Sequence, residues 1–537
     1  MENKNTLIAL MLMLAVWFGY SLFFQPPPPV SPPAEPQLVS AEVVPAVVPV
    51  SSPQLAAVPQ FDMDTAGSSQ PAPVREVTVE NELYRAVFSS SGARLIAFEL
   101  KNYRQESDLD SPLISLVDPS TFRDSTLNTS GMDGMGFPVD AVYQIDNSEN
   151  HFKLDGAQQQ SLVFSYMRQD GFKIEKTYIF HGDKYAFDLL LNVSNGSQQP
   201  VRGSLSLSLL HPWDDAEKGD QFTFVGPVTL AADELNTDDP EDLVKEPRHY
   251  GKDVTWSAFE DKYFISAVVP LNGASEKVRI EKTSSSVRNS FESPYIILES
   301  GQSAVLSYLL YFGPRDLDVL KEVNYNLDRA IDFGFFSLIA TPLLHFLKFF
   351  YSFVGNYGVA IIILTVIIKL LFWPLTHKSY ASMKHMQKLQ PEMQKLREKY
   401  KNDREKQNRE LMQLYKTHRV NPLGGCLPML VQIPVFFALY KVLLGAIELR
   451  HAPFAFWITD LSLKDPYYVT PLVMGATMFI QQKLTPSTMD PVQAKMFMLM
   501  PVIFTFLFLN FPSGLVIYWL VNNLLTILQQ YFIHKKA

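Results

Sequence analysis

The sequence predicts a multi-domain fold. It combines a polytopic α-helical membrane core of six spans, an all-β domain on the outer side and a helical hairpin on the inner side. Three observations point there. Charge is divided: residues 75–330 hold 24 Lys+Arg against 40 Asp+Glu, whereas residues 331–537 hold 21 against 10. Long apolar runs of the kind that cross a bilayer, which takes about 20 residues, occur only near the amino terminus and after residue 332. Between them, short runs alternate apolar and polar residues with the period of a strand.

Residues 1–24 are the first element. TLIALMLMLAVWFGYSLFF (6–24) carries no charge and follows Lys4. It exceeds the ~7–15-residue apolar core of a signal peptide, and no small-x-small cleavage site closely follows it. An uncleaved anchor with a cytoplasmic amino terminus is expected. Residues 25–74 open with PPPPVSPPAEP and stay rich in Pro, Ala, Val, Ser and Gln. Such a segment cannot bury a core and forms an extended spacer.

Residues 75–330 form the β domain. LYRAVFS, ARLIAFELK, SLVFSYMR, FKIEKTYIF, KYAFDLLLNVS, SLSLSLL, YFISAVVP and AVLSYLLYF have strand lengths and are punctuated by SSG, QDG, HGD, LNG and ESG. The pattern predicts a large sandwich. Its acidic balance argues against a nucleic-acid site. A carbohydrate cleft would rest on Trp213, Trp256 and scattered carboxylates.

Residues 331–352 contain Pro342, His345 and Lys348 among Phe and Leu, which suits an amphipathic helix at the outer interface. Residues 353–537 then hold five spans, at 357–375, 422–446, 468–484, 494–511 and 513–533. Charge orients them. Segment 376–420 carries 12 Lys+Arg against 5 Asp+Glu and belongs in the cytoplasm. Lys483 and Lys495 put the loop near Asp490 inside, and Lys535 and Lys536 do the same for the carboxyl terminus. The loop 447–467 and the NFPS turn at 510–513 face outward. Six spans satisfy all of these assignments; a seventh at 333–351 would reverse them. Within 376–420, Met383, Met386, Leu389, Met393, Leu396 and Tyr400 recur at helical spacing. Residues 401–403 suit a turn and 404–418 a second helix, so the segment reads as a hairpin with a basic surface.

The candidate site lies within the spans. Lys369 interrupts AIIILTVIIKLLFWPL (360–375). A lysine at a helix centre costs roughly 3 kcal/mol on insertion scales. Thr365 shares its face at i−4. Tyr518, Asn522 and Thr526 recur at i+4 in the last span, continued by Gln529. Gln432, Thr477, Gln481 and Thr505 lie in the others. Such residues face the bundle interior or water. They suggest a hydrated pocket holding one positive charge; hydrogen bonding between helices is the simpler alternative. Spans two to six contain no Asp or Glu, which speaks against a proton relay. The chain lacks GxxxxGK[ST], HExxH and GxSxG, and Cys426 is its lone cysteine. Catalytic residues, metal ligands and cofactors are not expected.

NPLGGCLPMLVQIPVFFALYKVL (421–443), the lysine-bearing span, FPSGLVIYW (511–519) and NNLLTILQQ (522–530) resemble the YidC-type membrane protein insertases along the whole chain. The anchor, Pro-rich linker and outer β domain resemble the Gram-negative form. The resemblance implies a periplasmic β-supersandwich and a five-helix core in the inner membrane. It also implies a hydrophilic groove, open to cytoplasm and lipid, with one basic residue. That residue is matched by Lys369, where many members carry arginine. Substrate-contacting faces are matched by Thr365 and by Tyr518 with Trp519. The implied partners are newly made membrane proteins, the Sec translocon, ribosomes and membrane lipids. A solute transporter and a membrane-tethered carbohydrate-binding protein are the other function classes. The first would need inverted repeats around a midplane site, and no internal repeat is seen.

Overall fold

The computed structural model describes residues 73–535, apart from 109, 120–124, 215–222, 402, 419–426 and 486–496. The expected anchor at 1–24, nearly all of the linker at 25–74, the NPLGGC run at 421–426 and the loop around Asp490 lie outside the described residues.

All eight runs quoted above fall on strands, between Tyr84–Ser89 and Ser303–Pro314. Three sheets form among the described residues. The five-stranded sheet includes Glu76–Glu80, Tyr84–Ser89 and Arg94–Arg104. The nine-stranded sheet runs in the order Glu234–Thr237, Gly226–Ala231, Val254–Glu260, Phe264–Leu271, Ser303–Pro314, Ala186–Asn195, Phe172–His181, Gln159–Met167, Gln144–Ile145. A six-stranded sheet includes Val201–Pro212 and Ser286–Glu292. Alternation decides which side chains meet. Tyr84, Phe88 and Phe98 of the first sheet pack on Phe164, Tyr178, Phe187 and Phe312 of the second, with Phe88 and Tyr178 ring centres 4.6 Å apart. Aromatic pairs at such separations add to the area they bury. Trp256 is fully buried and Trp213 nearly so. Both belong to the core, so neither offers a face for a sugar to stack on.

The helices follow. α1 is Leu317–Val323, α2 Ser337–Val354, α3 Tyr357–Lys399, α4 Arg404–Thr417, α5 Leu427–Gly445, α6 Val469–Leu484, α7 Met500–Phe508 and α8 Ser513–Lys535. Among the described residues, three stretches are long and apolar enough to cross a membrane: Gly334–Val354, Tyr357–Lys399 and Ser513–Ile533. The shorter Val431–Gly445 is also apolar.

The α2–α3 connection shows local chemistry setting architecture. Gly355 ends α2 with φ 63°, a left-handed cap that glycine adopts without a Cβ penalty. Asn356 caps α3 by accepting from Val359 N, and its Nδ2 donates to Phe454 O at 2.9 Å. Tyr351 and Tyr357 stack across the turn, 3.8 Å apart. The start of α3 is thus tied to the 447–467 segment. That segment is itself held to the β domain: Arg450 donates to the carbonyls of Arg104 and Gln105 and lies over the rings of Tyr263 and Phe264.

α3 is one helix of 43 residues. It continues through the boundary between apolar and polar sequence at 375/376, across Pro374 and Pro391. Polarity there marks a change of surroundings, not the end of a helix. Beyond it, Met386, Leu389 and Met393 are buried, and Tyr415 of α4 lies 3.8 Å from Met393 Sδ. This Met-rich seam packs inward.

Candidate functional site

α3 and α8 run side by side with a fixed register. Lys369 meets Asn522 and Thr376 meets Gln529, both at a separation of 153 residues. Constant offset over two turns means parallel helices. The same offset sets Thr365 level with Tyr518.

Lys369 is buried, with 6% exposure. Its Nζ donates to Thr526 Oγ1 at 2.6 Å and Asn522 Oδ1 at 3.3 Å. Thr526 in turn donates to Asn522 O at 2.7 Å, the local back-bond that hydroxyls make inside helices. No carboxylate lies within ion-pair distance of Lys369 among the described residues. An ammonium has three donors; two are taken by neutral acceptors. One turn further, Gln529 Nε2 donates to Thr376 Oγ1 at 2.6 Å, while Gln529 Oε1 is buried without a partner. Thr365 donates to Ile361 O at 2.6 Å and is buried.

The polar residues foreseen as one pocket form two seams on either side of α8. Lys369, Asn522, Thr526, Thr376 and Gln529 make the α3 seam. On the α6 side, Asn523 Nδ2 donates to Thr477 Oγ1 at 3.4 Å and Gln530 Nε2 to Thr485 Oγ1 at 2.8 Å. Thr505 belongs elsewhere: it donates to Pro501 O within α7 and fits against Gly475, where a Cβ would lie 1.9 Å from its Oγ1. Gln432 is half-buried on α5 and forms no hydrogen bond with Lys369 among those described. Tyr518 is buried, with its ring 6.3 Å from Phe436. Trp519 sits in an aromatic cluster with Phe436 at 4.7 Å, Phe508 at 5.1 Å and Phe504 at 5.8 Å. A cavity of about 590 Å³ opens among Gln387, Lys483, Thr485, Leu524, Leu528 and Tyr531, at the basic end of α3, α6 and α8.

Thr376, Thr485, Asn523 and Gln530 are the seam residues that the sequence reading missed. Thr376 follows the apolar run and so falls, by composition, in the polar segment 376–420. Its position at i+7 from Lys369 was the available signal.

Residues 349–537 match the family described as 60Kd inner membrane protein. Residues 76–346 match the YidC periplasmic domain. The membrane protein insertase YidC of Geotalea uraniireducens (strain Rf4) is 48% identical over 538 residues, spanning 99% of both chains. That of Geobacter metallireducens (strain ATCC 53774 / DSM 7210 / GS-15) is 46% identical over 534 residues, covering 99% of this chain and 98% of the relative. The chain belongs to the YidC family of membrane protein insertases. A crystal structure of an active YidC insertase is similar over 87% of this chain and 93% of that one, with 17% identity and a TM-score of 0.37.

Family membership establishes an insertase of the inner membrane with a periplasmic β domain. Neither a solute transporter nor a tethered carbohydrate-binding protein is favoured beside it.

Proposed function

We propose that the chain inserts newly made membrane proteins by docking their acidic, outward-bound segments on Lys369, while the apolar segment enters lipid along α3 and α8. The observation that carries this is Lys369 itself, buried and bonded to Thr526 and Asn522 with no carboxylate beside it among the described residues. A buried charge without a counter-charge is costly; an incoming carboxylate relieves that cost. Asn522 and Thr526 hold the ammonium until it arrives. Thr365 and Tyr518 form the next level of the same face, with Trp519 flanking them and Gln432 across on α5. Lysine supplies charge without the bidentate fork of arginine. Burial of the substrate's apolar helix provides the drive, assisted by about 2.3 kcal/mol per charge for each 100 mV of membrane potential. No bond is made or broken and no cofactor takes part.

In this reading the core has six spans, both termini are cytoplasmic and the β domain is periplasmic. α2 lies at the outer interface among lipid headgroups. Its placement is supported by Lys348, which pairs with Asp318 at 2.5 Å, Glu448 at 3.1 Å and Asp316 at 3.3 Å. Two of those acids belong to the start of α1, directly after the last strand. The basic hairpin of α3 and α4 is cytoplasmic and recruits ribosomes and nascent chains; the Sec translocon is a further partner in assembly.

Insertion of paired substrates, with and without tail carboxylates, into vesicles tests the docking role. Lys369→Ala should impair the acidic substrate and leave the neutral one nearly unchanged. Equal insertion of both by wild type and variant would refute docking. Protease added from outside the cell membrane should cut near Asp238 and never near Lys395; the converse pattern would overturn the topology.

A further inference from the structure

We propose that the cavity between the β domain and the ends of α2 and α5 seats the phosphoethanolamine headgroup of a phospholipid, its ammonium on Glu260 and Asp332 and its phosphate between Lys262 and Lys441. The proposal rests on the topology above, which sets these helix ends at the level of the outer headgroups.

The cavity holds about 260 Å³. That is below the roughly 300 Å³ at which drug-sized pockets begin, and it suits a small polar group. Its lining carries charges of both signs. Glu260 closes the strand Val254–Glu260 and is 5% exposed. Its Oε1 pairs with Arg315 Nη2 at 3.2 Å, but its Oε2 is buried with no hydrogen-bond partner. Arg315 is committed elsewhere through its two terminal nitrogens, Nη1 donating to Asp261 O and Nη2 to Ala330 O, both at 2.7 Å, while its Nε is buried without a partner. Asp332, beside it, spends Oδ1 on Gly334 N at 2.7 Å. An orphaned buried acceptor costs the full desolvation of that atom. A guest that carries N–H donors removes the cost.

Lys262 and Lys441 also line the cavity, as does Glu448, whose partner is Lys348; the two lysines pair with no carboxylate among the described residues. Lys441 lies about one turn before Gly445, the end of α5, and is exposed. Phe333, from the segment before α2, and Leu344 and Leu444, from α2 and α5, add apolar wall, where the glycerol and the first acyl carbons would lie. An anionic headgroup without an amine would face Glu260 and Asp332 with like charge. A choline has no N–H to give to Glu260. A metal ion is disfavoured by the two lysines, and no cluster of metal-ligating residues occurs among the described residues.

The full chain is reconstituted in nanodiscs of phosphatidylglycerol, phosphatidylcholine or phosphatidylethanolamine, and the β domain's thermal unfolding and retained lipid by native mass spectrometry are measured. Phosphatidylethanolamine should raise the apparent Tm above the other two and be retained at one equivalent. Lys441→Gln, which replaces an exposed side chain, should weaken that retention roughly tenfold, as loss of one charged hydrogen bond does; Glu260→Gln should do likewise. Equal stabilisation by all three lipids, undiminished retention in Lys441→Gln, or an equal Tm rise from inorganic phosphate alone would overturn the proposal. None of these readouts involves insertion, so they fail or succeed independently of the Lys369 groove.

Discussion

Each half of the molecule buries a lysine with no carboxylate partner among the described residues, and the two lysines are held in opposite ways. In the β domain, Lys176 is fully buried. Its Nζ donates to two backbone carbonyls, Leu127 O at 2.9 Å and Gly92 O at 3.3 Å, and lies 5.6 Å from the Tyr178 ring. Leu127 has φ 61°, a left-handed backbone unusual for leucine and sustained only by its surroundings. Lys176 is part of those surroundings. In the membrane core, Lys369 donates instead to a hydroxyl and a side-chain amide. Backbone carbonyls within a folded sandwich cannot leave; the side chains of Thr526 and Asn522 can rotate. A buried lysine is therefore fixed to the backbone in one region and, on the proposed reading, is an exchangeable docking charge in the other.

Reversing the docking charge should have the largest effect. Lys369→Glu is expected to reduce insertion of acidic-tailed substrates roughly 100-fold, since losing the charge attraction and adding repulsion is worth about 3 kcal/mol or more. Lys369→Arg should retain most of the activity in the same vesicle assay. A tolerated Lys369→Glu would break the contrast by making Lys369 another fixed lysine.

Lys176→Met should cost about 2–3 kcal/mol, because it leaves two buried carbonyls unsatisfied. Hydrogen exchange should quicken around residues 92 and 127, with insertion little changed. If insertion falls as far as in Lys369→Ala, the two lysines do not differ in role.

Acid–base titration sharpens the contrast further. Burial, aided by Arg94, pushes the Lys176 ammonium down to about 7 from its usual 10.5. Between those values the unfolded chain binds the proton that the folded chain has released. This group's contribution therefore grows as pH rises from 7 towards 10.5, and is lost as pH falls through 7. Glu260 runs the other way. Burial pushes its carboxyl up to about 7 from 4.5, against the pull of Arg315, so its contribution is greatest below 4.5 and declines as pH rises to 7. Thermal unfolding of the β domain across pH 7 to 10 should show the first slope, and Lys176→Met should flatten it.

The smallest effect belongs to the neutral pair next to Lys369. A double-mutant cycle of Thr376→Val and Gln529→Leu should give a coupling of about 0.6 kcal/mol, the average for hydrogen bonds between membrane helices. A coupling several times larger would mean that the α3–α8 seam is itself rigid, and that Lys369 is less free to change partners than its side-chain acceptors suggest.

Much of the β domain was legible because strands declare themselves locally. FKIEKTYIF alternates, and its inward row is Phe172, Ile174, Lys176, Tyr178 and Phe180, all buried. That alternation placed Lys176 among aromatic residues in the sequence, although the sequence reading passed over it. The stripe Tyr518, Asn522, Thr526, Gln529 was legible for the same reason, through a period of nearly four. The continuity of α3 was not. The polar residues after 375 report a change of environment, which local sequence shows clearly, whereas Pro374 left the helix intact, which it does not. Nor could the sequence divide its polar residues between two seams. Thr477 and Thr485 face α8 because α6 packs on one side of it and α3 on the other.

The sequence by itself determined the class of each segment, the period of each face and the presence of a charge inside a span. These follow from short-range chemistry: side-chain alternation in strands, helical repeats, turn residues and the cost of polar groups in lipid. Only the tertiary structure decided which faces meet. Lys369 reaches Thr526 across 157 residues of chain, Lys176 reaches Leu127 across 49, and Glu260 keeps an unpaired oxygen in a cavity bounded by two helices far along the sequence. Such pairings depend on the packing of whole elements. A residue's own neighbours carry no record of the distant partner that packing brings to it.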